Sequence, residues 1–333
     1  MKLSIEEARA LAGASMEAVG HSREEADIIA DHLIDCELRG LTYGGLARAL
    51  SIVERIRSAK TPKRPIALLR ETPVSAAFDG GDQVGYLVAR RATDLAIEKA
   101  KTTGIAVVGA HETWYTGMFS YYLEMVTKAG FAGMIAGSGG QIVAPQGGTE
   151  GRYGTNPIAF GFPSAGAPVI WDIGTSNVML ADVLLKLRTG QPLAPGLAYD
   201  KAGQPTQDPA AALGGGAFTA WGGHKGSGLA MVVQLLGMMC GAAAAPDGLR
   251  DCGFYMLVLD PALLTSADDY KQRVADYADS LRATRPADPG QPVRVPFERS
   301  GAERAARIAA GSIDVADQVY AALLCVIDGR AAA

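Results

Sequence analysis

The stretch GGHKGSGLA, residues 222–230, leads directly into the largely apolar segment 231–240. Glycine has no Cβ, so a run of glycines lets the backbone turn tightly and approach a ligand closely. Because the run ends where a helix is predicted to begin, its free backbone N–H groups are placed to face an anion such as a phosphate. A glycine-rich turn before a helix is also common as a plain turn, and this stretch alone does not distinguish the two.

The composition favours a globular protein that acts on small molecules. Of its 333 residues, 48% are hydrophobic and 20% are charged, which is enough for a large core. The net charge of −4 provides no basic field for nucleic acid or a membrane surface. The amphipathic N-terminus lacks a signal-peptide pattern, and the four cysteines are scattered. We therefore expect a cytoplasmic protein without a metal site and without nucleic-acid or membrane partners.

The hydrophobic pattern predicts helices first and an α/β region after them. Two capping boxes, Ser4 with Glu7 and Ser22 with Glu25, mark the starts of two N-terminal helices. A β-branched run at 105–108 then reads as a buried strand. The pattern also predicts helices at 47–58, 83–101, 116–128, 175–188, 267–283, 300–309 and 313–327, and strands at 66–69, 132–136, 158–162, 169–172 and 254–259.

Three further motifs accompany the glycine stretch: GTNPIAFGFP at 154–163, DIGTSN at 172–177 and DKAGQPTQDPAAAL at 200–213. In order and spacing the four motifs resemble the malate/L-lactate dehydrogenase type 2 family. That family includes ureidoglycolate dehydrogenase, diketogulonate reductase and Δ1-piperideine-2-carboxylate reductase. The resemblance implies an NAD(P)-dependent oxidoreductase with a mixed-sheet α/β fold that is not the Rossmann fold, and a homodimer with sites near the subunit interface.

Together the pattern and the resemblance divide the chain into four parts. The predicted parts are a helical N-terminal lobe (1–70), an α/β middle part (71–160), a cofactor-binding part (161–260) and C-terminal helices that pack back on the N-terminal lobe (261–333).

The resemblance also implies which residues line the site. Thr155 and Asn156 would border the nicotinamide and the substrate. Asp182 follows the DIGTSN motif, where an acid favours the ribose diol of NADH over the 2′-phosphate of NADPH. The residues that would line the cofactor are Asp172, Ile173, Gly174, Thr175, Ser176, His224, Lys225, Gly226, Phe297, Glu298 and Arg299.

Several of these residues also have a purely structural interpretation. Asp172 would then cap a helix that begins near Thr175. His224 would be a turn residue and Lys225 a solvated cation.

The chain departs from the family in its N-terminal lobe. At 38–48 it reads LRGLTYGGLAR, where the family pattern resembles Gly, two variable residues, Ser-His-Gly and an Arg three places on. The family's proton-donating histidine falls at Gly44 and the preceding serine at Tyr43, whereas Arg48 is retained. A second family histidine falls near Trp114 or Tyr115 and is also absent.

The missing histidine should matter most for keto acids. Hydride delivered to a ketone leaves an alkoxide, and a positioned acid typically contributes about 10²–10⁴ in rate. Hydride delivered to a protonated imine leaves a neutral amine and needs no such donor. Arg48 can bind a carboxylate through bidentate hydrogen bonds from its guanidinium, unless it simply lies on a helix surface. Tyr43, Trp114, Tyr115 and Tyr121 would form an aromatic wall that attracts an iminium cation, or would be ordinary core residues.

We therefore predict an NAD(P)H-dependent reductase that delivers hydride to a C=N or C=O carbon next to a carboxylate. Arg48, Tyr43, His111 and Tyr115 are the candidate catalytic residues, and Gly44 and Trp114 would contact the substrate. Two alternatives stay open. One is a 2-hydroxy acid dehydrogenase of the malate or lactate kind with a relocated proton donor, and the other is a catalytically silent nucleotide-binding dimer.

Overall fold

A computed structural model describes residues 1–246 and 248–330. The strands are β1 Lys2–Ser4, β2 Ala67–Thr72, β3 Ser75–Val84, β4 Ile105–Trp114, β5 Ala132–Gly137, β6 Ile158–Phe162, β7 Val169–Ile173, β8 Ala198–Tyr199, β9 Pro205–Thr206, β10 Ala217–Phe218, β11 Cys252–Leu259 and β12 Ser312–Asp314. The α-helices are α1 Ile5–Glu17, α2 Arg23–Leu38, α3 Leu46–Arg57, α4 Gly85–Thr103, α5 Phe119–Lys128, α6 Leu180–Thr189, α7 Pro209–Leu213, α8 His224–Met239, α9 Ala267–Arg282, α10 Glu298–Ala310 and α11 Asp317–Ile327.

A seven-stranded mixed sheet with the strand order β2-β3-β4-β11-β5-β6-β7 lies at the centre of the fold. Strands β3 and β4 pair in parallel through the crossover helix α4, and the other neighbouring strands in this sheet pair antiparallel. A Rossmann domain would instead have a mostly parallel sheet. The predicted mixed-sheet, non-Rossmann α/β fold is therefore confirmed.

Helices cover both faces of this sheet. Successive side chains of a strand point to opposite faces, so on β5 Ile135 belongs to the core under α4 and α5, while Ala136 packs with Val233 of α8. The start of α8 is the glycine stretch, in which Gly222 and Gly223 both have positive φ (64° and 62°). Helix α8 packs against strands β5 and β11 of the sheet.

The N-terminal helices form a separate layer that the C-terminal helices contact. Both predicted capping boxes are present: Ser4 Oγ accepts the Glu7 N–H, and Ser22 Oγ accepts the Glu25 N–H. Helix α11 packs against α1 and α3, and α10 packs against α2. The division of the chain into four parts stays a prediction, and the final residues of its last part, 331–333, lie outside the described residues.

Some predicted elements begin later than the sequence pattern suggests. The helix predicted from 175 begins at Leu180, because Thr175 and Asn177 use their N–H groups to bind the carbonyls of Thr155 and Thr219. The helix predicted from 313 begins at Asp317, because the residues before it form β12 and pair with β1. Strand β3 was not predicted, and within the stretch 190–216, which shows no clear period, the chain forms β8, β9 and α7.

Within the described ranges no helix combines the length and the apolar character needed to cross a bilayer. Helix α8, which carries no charged residue after Lys225, packs against the sheet as described above.

The glycine stretch yields a stability prediction. A Cβ at Gly226 would collide with the carbonyl oxygen of Trp221, whereas a Cβ at Gly228 on the same helix would meet nothing within 4 Å. We expect Gly226→Ala to lower the free energy of unfolding by about 2 kcal/mol or more. The matched control Gly228→Ala should raise it by about 0.5–1 kcal/mol, because alanine is the better helix former. Urea unfolding of the two variants checks this, and equal stabilities would contradict the close approach at Gly226.

Candidate active site

A cavity of about 700 Å³ lies between the N-terminal helices and the central sheet. Its wall is built from the turn before α3, the loop between β4 and α5, the loop before β6, strand β7 and the segment before α10. The predicted site residues that line it are Tyr43, Gly44, Arg48, Tyr115, Thr155, Asp172, Gly174, Phe297 and Arg299. Residues predicted separately from the two ends and the middle of the chain therefore meet in one cavity.

The position of Arg48 follows from how α3 begins. The Leu46 N–H donates to Glu37 Oε1 at 2.7 Å, so the carboxylate of α2 caps the first turn of α3. A Cβ at Gly45 would collide with the Glu37 side chain, which explains the glycine at this position. Burial raises the pKa of Glu37 to about 7. Arg48, on the first turn of this capped helix, faces the cavity.

Arg48 has an unused hydrogen-bonding group beside an aromatic ring. Its Cζ lies 4.2 Å from the centre of the Tyr115 ring, a cation–π arrangement. Its Nη1 is buried and has no hydrogen-bond partner in the part of the chain that the structure describes. A buried guanidinium nitrogen without a partner is costly, and a carboxylate ligand would satisfy it.

Tyr43 lies in the 3₁₀ turn Thr42–Gly44, immediately before α3. Burial, together with the nearby Cys36, Asp172 and Asp182, raises its pKa to about 12, and Arg48 acts in the opposite direction. The hydroxyl is therefore protonated at neutral pH. At the position of the absent histidine, a Cβ on Gly44 would lie 3.3 Å from Cys36 Sγ, so the thiol packs directly against this glycine.

Asp172 lines the cavity at the end of β7 and binds the start of α5. Its Oδ2 accepts the Ser120 N–H at 2.7 Å. A carboxylate is stabilised at the N-terminus of a helix, but burial is the larger effect and raises the pKa of Asp172 to about 6. The structural interpretation of Asp172 as the cap of a helix near Thr175 is therefore wrong. The helix whose N-terminus Asp172 binds is α5.

Asn156 is completely buried and does not line the cavity. Its Oδ1 accepts the Gly139 N–H at 3.1 Å, and its Nδ2 donates to the Ala230 carbonyl at 2.8 Å and to Gln234 Oε1 at 3.0 Å. The side chain thus joins the loop after β5 to α8. Its structural role is to hold Thr155, which does line the cavity, in place.

His111 is not brought to the cavity. Its Nδ1 lies 3.1 Å from the carbonyl oxygen of Cys240, beyond the C-terminal end of α8. His224 and Lys225 are exposed on the first turn of α8 and also lie outside the cavity wall. The other predicted site residues outside the wall are Trp114, Ile173, Thr175, Ser176, Asp182, Gly226 and Glu298.

Two of these residues, Trp114 and Glu298, help to build the wall from behind. Trp114 packs edge-on against the Tyr115 ring at 5.5 Å and donates from Nε1 to the Asp82 carbonyl at 3.0 Å. Glu298 binds Arg282 and accepts the Val295 N–H at 2.9 Å, which shapes the segment before α10.

The cavity wall also contains residues that the sequence did not single out, among them Cys36, Leu41, Tyr86, Ser120, Met179 and Arg294. They come from elements far apart in the chain, so no local pattern marks them. Among the described residues no group of three or more His, Cys, Asp or Glu side chains is arranged to hold a metal ion.

Comparison with known proteins places this architecture in a family. The profile of the malate/L-lactate dehydrogenase family matches residues 3–324. The chain is 35% identical to a Δ1-pyrroline-2-carboxylate reductase of Ancylobacter novellus, over 90% of each sequence. It is 32% identical to an L-sulfolactate dehydrogenase of Methanothermobacter thermautotrophicus, over 85% of this chain and 86% of that one.

Solved structures of other proteins also resemble this fold. The crystal structure of Δ1-piperideine-2-carboxylate reductase from Pseudomonas syringae is similar with a TM-score of 0.86 and 26% identity, covering 98% of this chain and 99% of that one. The predicted family resemblance is confirmed over nearly the whole chain. The protein therefore belongs to the malate/L-lactate dehydrogenase family, whose members are oxidoreductases of the dehydrogenase kind.

Proposed function

We propose that this protein is an NAD(P)H-dependent reductase that delivers hydride to a C=N carbon, or to a C=O carbon, next to a carboxylate. The observation that carries the proposal is the unpartnered, buried Nη1 of Arg48 in a cavity walled by tyrosines. A carboxylate is the ligand that such a guanidinium best accommodates. The similarity to a Δ1-pyrroline-2-carboxylate reductase, which is named for a cyclic imine bearing a carboxylate, supports the same substrate class.

In the proposed reaction Arg48 binds the substrate carboxylate and so fixes the adjoining C=N or C=O carbon in the cavity. The nicotinamide cofactor, when bound, supplies the hydride to that carbon. For a protonated imine the electron pair of the C=N bond goes to nitrogen, and the product is a neutral amine. The tyrosine rings that line the cavity near Arg48 would favour the iminium cation before transfer. No protein acid is required for this step.

A ketone needs a proton at its oxygen, and Tyr43 and Tyr115 are the proposed donors. Both hydroxyls are held in the protonated form, because burial raises the pKa of Tyr43 to about 12 and also raises the pKa of Tyr115. With either donor the protein would act as a 2-hydroxy acid dehydrogenase, which is the second candidate function. His111, bound to the Cys240 carbonyl at 3.1 Å, is a weaker candidate for this role.

The third candidate, a silent nucleotide-binding dimer, would have no chemical use for Arg48. A buried guanidinium without a partner destabilises a fold, and a protein with no substrate could replace it at no loss. Binding of a nicotinamide cofactor without turnover of any imine or keto acid would favour this candidate.

We propose NADH as the cofactor and NADPH as the alternative. Asp182 on the first turn of α6 would favour a ribose diol over a phosphate. Arg294 and Arg299, which line the cavity, are the cations that would hold a 2′-phosphate or the pyrophosphate. The ratio of kcat/KM with the two cofactors decides between them.

We also propose a homodimer that packs through α8, and a cytoplasmic location in keeping with the free cysteines. Met231, Leu235, Met238 and Met239 recur on one face of α8 and are 41–65% exposed. Trp221, 44% exposed, extends this apolar face beside the start of the helix. A contiguous exposed apolar face of this kind is typical of a subunit interface.

The first prediction from the proposed function concerns Arg48. We expect Arg48→Met to raise KM for a cyclic imine carboxylate by about 100-fold or more, since two charge-assisted hydrogen bonds are lost. Arg48→Lys should recover only part of the loss, because an ammonium group lacks the two-pronged geometry. Arg57→Met, at the exposed end of the same helix, is the control and should leave KM unchanged. An unaltered KM in Arg48→Met would remove Arg48 from the site.

The second prediction separates imines from keto acids. We expect NADH oxidation near neutral pH to be faster with piperideine-2-carboxylate than with pyruvate. Tyr43→Phe should lower pyruvate reduction by about 10²–10⁴ if Tyr43 is the acid, and should change imine reduction little. Tyr115→Phe is the matched test of the second tyrosine. Faster reduction of pyruvate by the parent protein would show that a proton donor is in place, and the imine preference would then be abandoned.

The third prediction concerns the apolar face of α8. We expect the parent protein to sediment as a dimer at micromolar concentration and Leu235→Glu to sediment as a monomer, because a charge is buried without a partner. Leu264→Glu, at a leucine before α9 that is 95% exposed, should leave the dimer intact. A monomeric parent, or a dimeric Leu235→Glu variant, would argue against this interface.

A further inference from the structure

His32 is a buried histidine of α2 that lies directly behind the cavity wall. It is 1% exposed, and its Nε2 accepts the Met118 N–H at 2.8 Å. An Nε2 that accepts a hydrogen bond leaves the proton of the neutral ring on Nδ1. Burial lowers the pKa of His32 to about 3, so the ring is neutral at physiological pH. Its role is therefore that of a hydrogen-bond acceptor.

The segment that His32 binds is the loop of residues 115–118, which joins β4 to α5 and lines the cavity. Two of its residues have left-handed backbones: Tyr115 with a φ of 49° and Gly117 with a φ of 85°. The loop is packed closely, since a Cβ on Gly117 would lie 2.5 Å from His32 Nε2 and would also collide with Tyr86. Tyr122, whose ring lies 5.4 Å from that of His32, donates from its hydroxyl to the Thr116 carbonyl at 2.8 Å.

The conformation of Tyr115 has to be maintained by such contacts. A left-handed backbone at a residue other than glycine costs on the order of 1–3 kcal/mol and persists only where the surroundings impose it. In this conformation the Tyr115 ring packs on the Arg48 guanidinium at 4.2 Å. If the loop lost this geometry, the Tyr115 ring would no longer pack on Arg48. The orientation of the Arg48 guanidinium would then no longer be fixed.

Packing alone does not explain why a histidine occupies position 32. Its Nδ1 is buried and has no partner within the described residues, a cost that a phenylalanine would avoid. The hydrogen bond to Met118 is the one polar interaction of the ring found in the described chain. What the histidine provides beyond a phenylalanine is this acceptor for the loop.

We propose that His32 is a positioning residue for the reaction: by accepting the Met118 N–H it holds the loop 115–118 so that Tyr115 packs on Arg48 and orients the guanidinium towards the substrate carboxylate. The inference rests on the proposed function in one respect, the role of Arg48. The positioning of the loop itself does not depend on it.

The test compares His32→Phe with His32→Gln. Phenylalanine keeps the ring and removes the acceptor, whereas the glutamine carbonyl oxygen can take the place of Nε2. His21→Phe is the matched control, because His21 is a buried histidine of the same lobe, 6% exposed, that binds Glu25 instead of the loop. Each variant is examined by hydrogen–deuterium exchange of the peptide covering 114–119, by melting temperature, by KM and kcat for piperideine-2-carboxylate, and by NADH affinity from fluorescence.

We expect His32→Phe to speed exchange in 114–119 by about tenfold and to raise KM by about tenfold, with a smaller change in kcat and an unchanged NADH affinity. His32→Gln should restore both readouts, and His21→Phe should alter neither, even where it lowers the melting temperature. Unchanged exchange in His32→Phe would overturn the proposal. An unchanged KM in His32→Phe, at a melting temperature that falls as far as that of His21→Phe, would also overturn it. A failure of His32→Gln to restore either readout would do the same.

If the parent protein reduces no imine or keto acid, the proposed function fails, and the exchange measurements alone decide whether His32 holds the loop. Faster exchange in His32→Phe and its reversal in His32→Gln would still support the positioning of loop 115–118.

Discussion

The buried side chain of Asn156 makes the interactions on which the side of the cavity formed by β6 and β7 depends. Its side-chain amide satisfies the Gly139 N–H, the Ala230 carbonyl and Gln234 Oε1, and the backbone carbonyl oxygen of Asn156 accepts the Thr175 hydroxyl at 3.2 Å. The loop after β5, the start of β6, the end of β7 and helix α8 are therefore joined through one residue. Its backbone φ of 36° is one that asparagine tolerates better than most side chains. Removing the amide would leave several buried polar groups unpaired at once, and each would cost about 1–3 kcal/mol.

The side of the cavity formed by the N-terminal helices depends in the same way on the C-terminal half of α2. His32 binds the loop before α5, Cys36 packs against Gly44, and Glu37 caps α3. One turn further on, the buried Arg39 binds Asp35 at 2.7 Å and Glu124 at 2.5 Å, and its guanidinium lies 4.5 Å from the Phe297 ring. Buried ion pairs contribute little net stability but fix geometry, because a displaced partner leaves a charge unpaired. A single rigid helix thus sets the positions of Tyr43, Arg48 and Tyr115 relative to the 297–299 segment.

The sequence predicted the elements whose signals are local. Strand β6 was predicted with the bounds that it has, and both capping boxes are in place, because alternation and capping involve residues a few positions apart. Strand β3 was missed because its middle reads DGGD at 79–82, and strands otherwise disfavour glycine and aspartate. The site was predicted through family motifs, and these do not say which side chains face a ligand. Asn156 and His111 turn away from the cavity, and the partner of Asp172 is Ser120, 52 residues earlier, so such contacts follow from tertiary packing alone.

The charges around Tyr43 bear on which substrate the cavity favours. Burial raises the pKa of Tyr43 to about 12, and the negative charges of the nearby Asp172 and Asp182 act in the same direction. A donor with a higher pKa gives up its proton less readily to a developing alkoxide. The same negative charge attracts a cation, and since the pKa of Asp172 is about 6, its carboxyl is ionised at neutral pH. In the proposed function an iminium carboxylate would present its anionic end to Arg48 and its cationic nitrogen to Asp172 and the tyrosine rings. A keto acid would offer no such second charge, and its reduction would place a new negative charge near these acids. Under this proposal the acids of the cavity favour the iminium over the alkoxide, independently of the missing histidine.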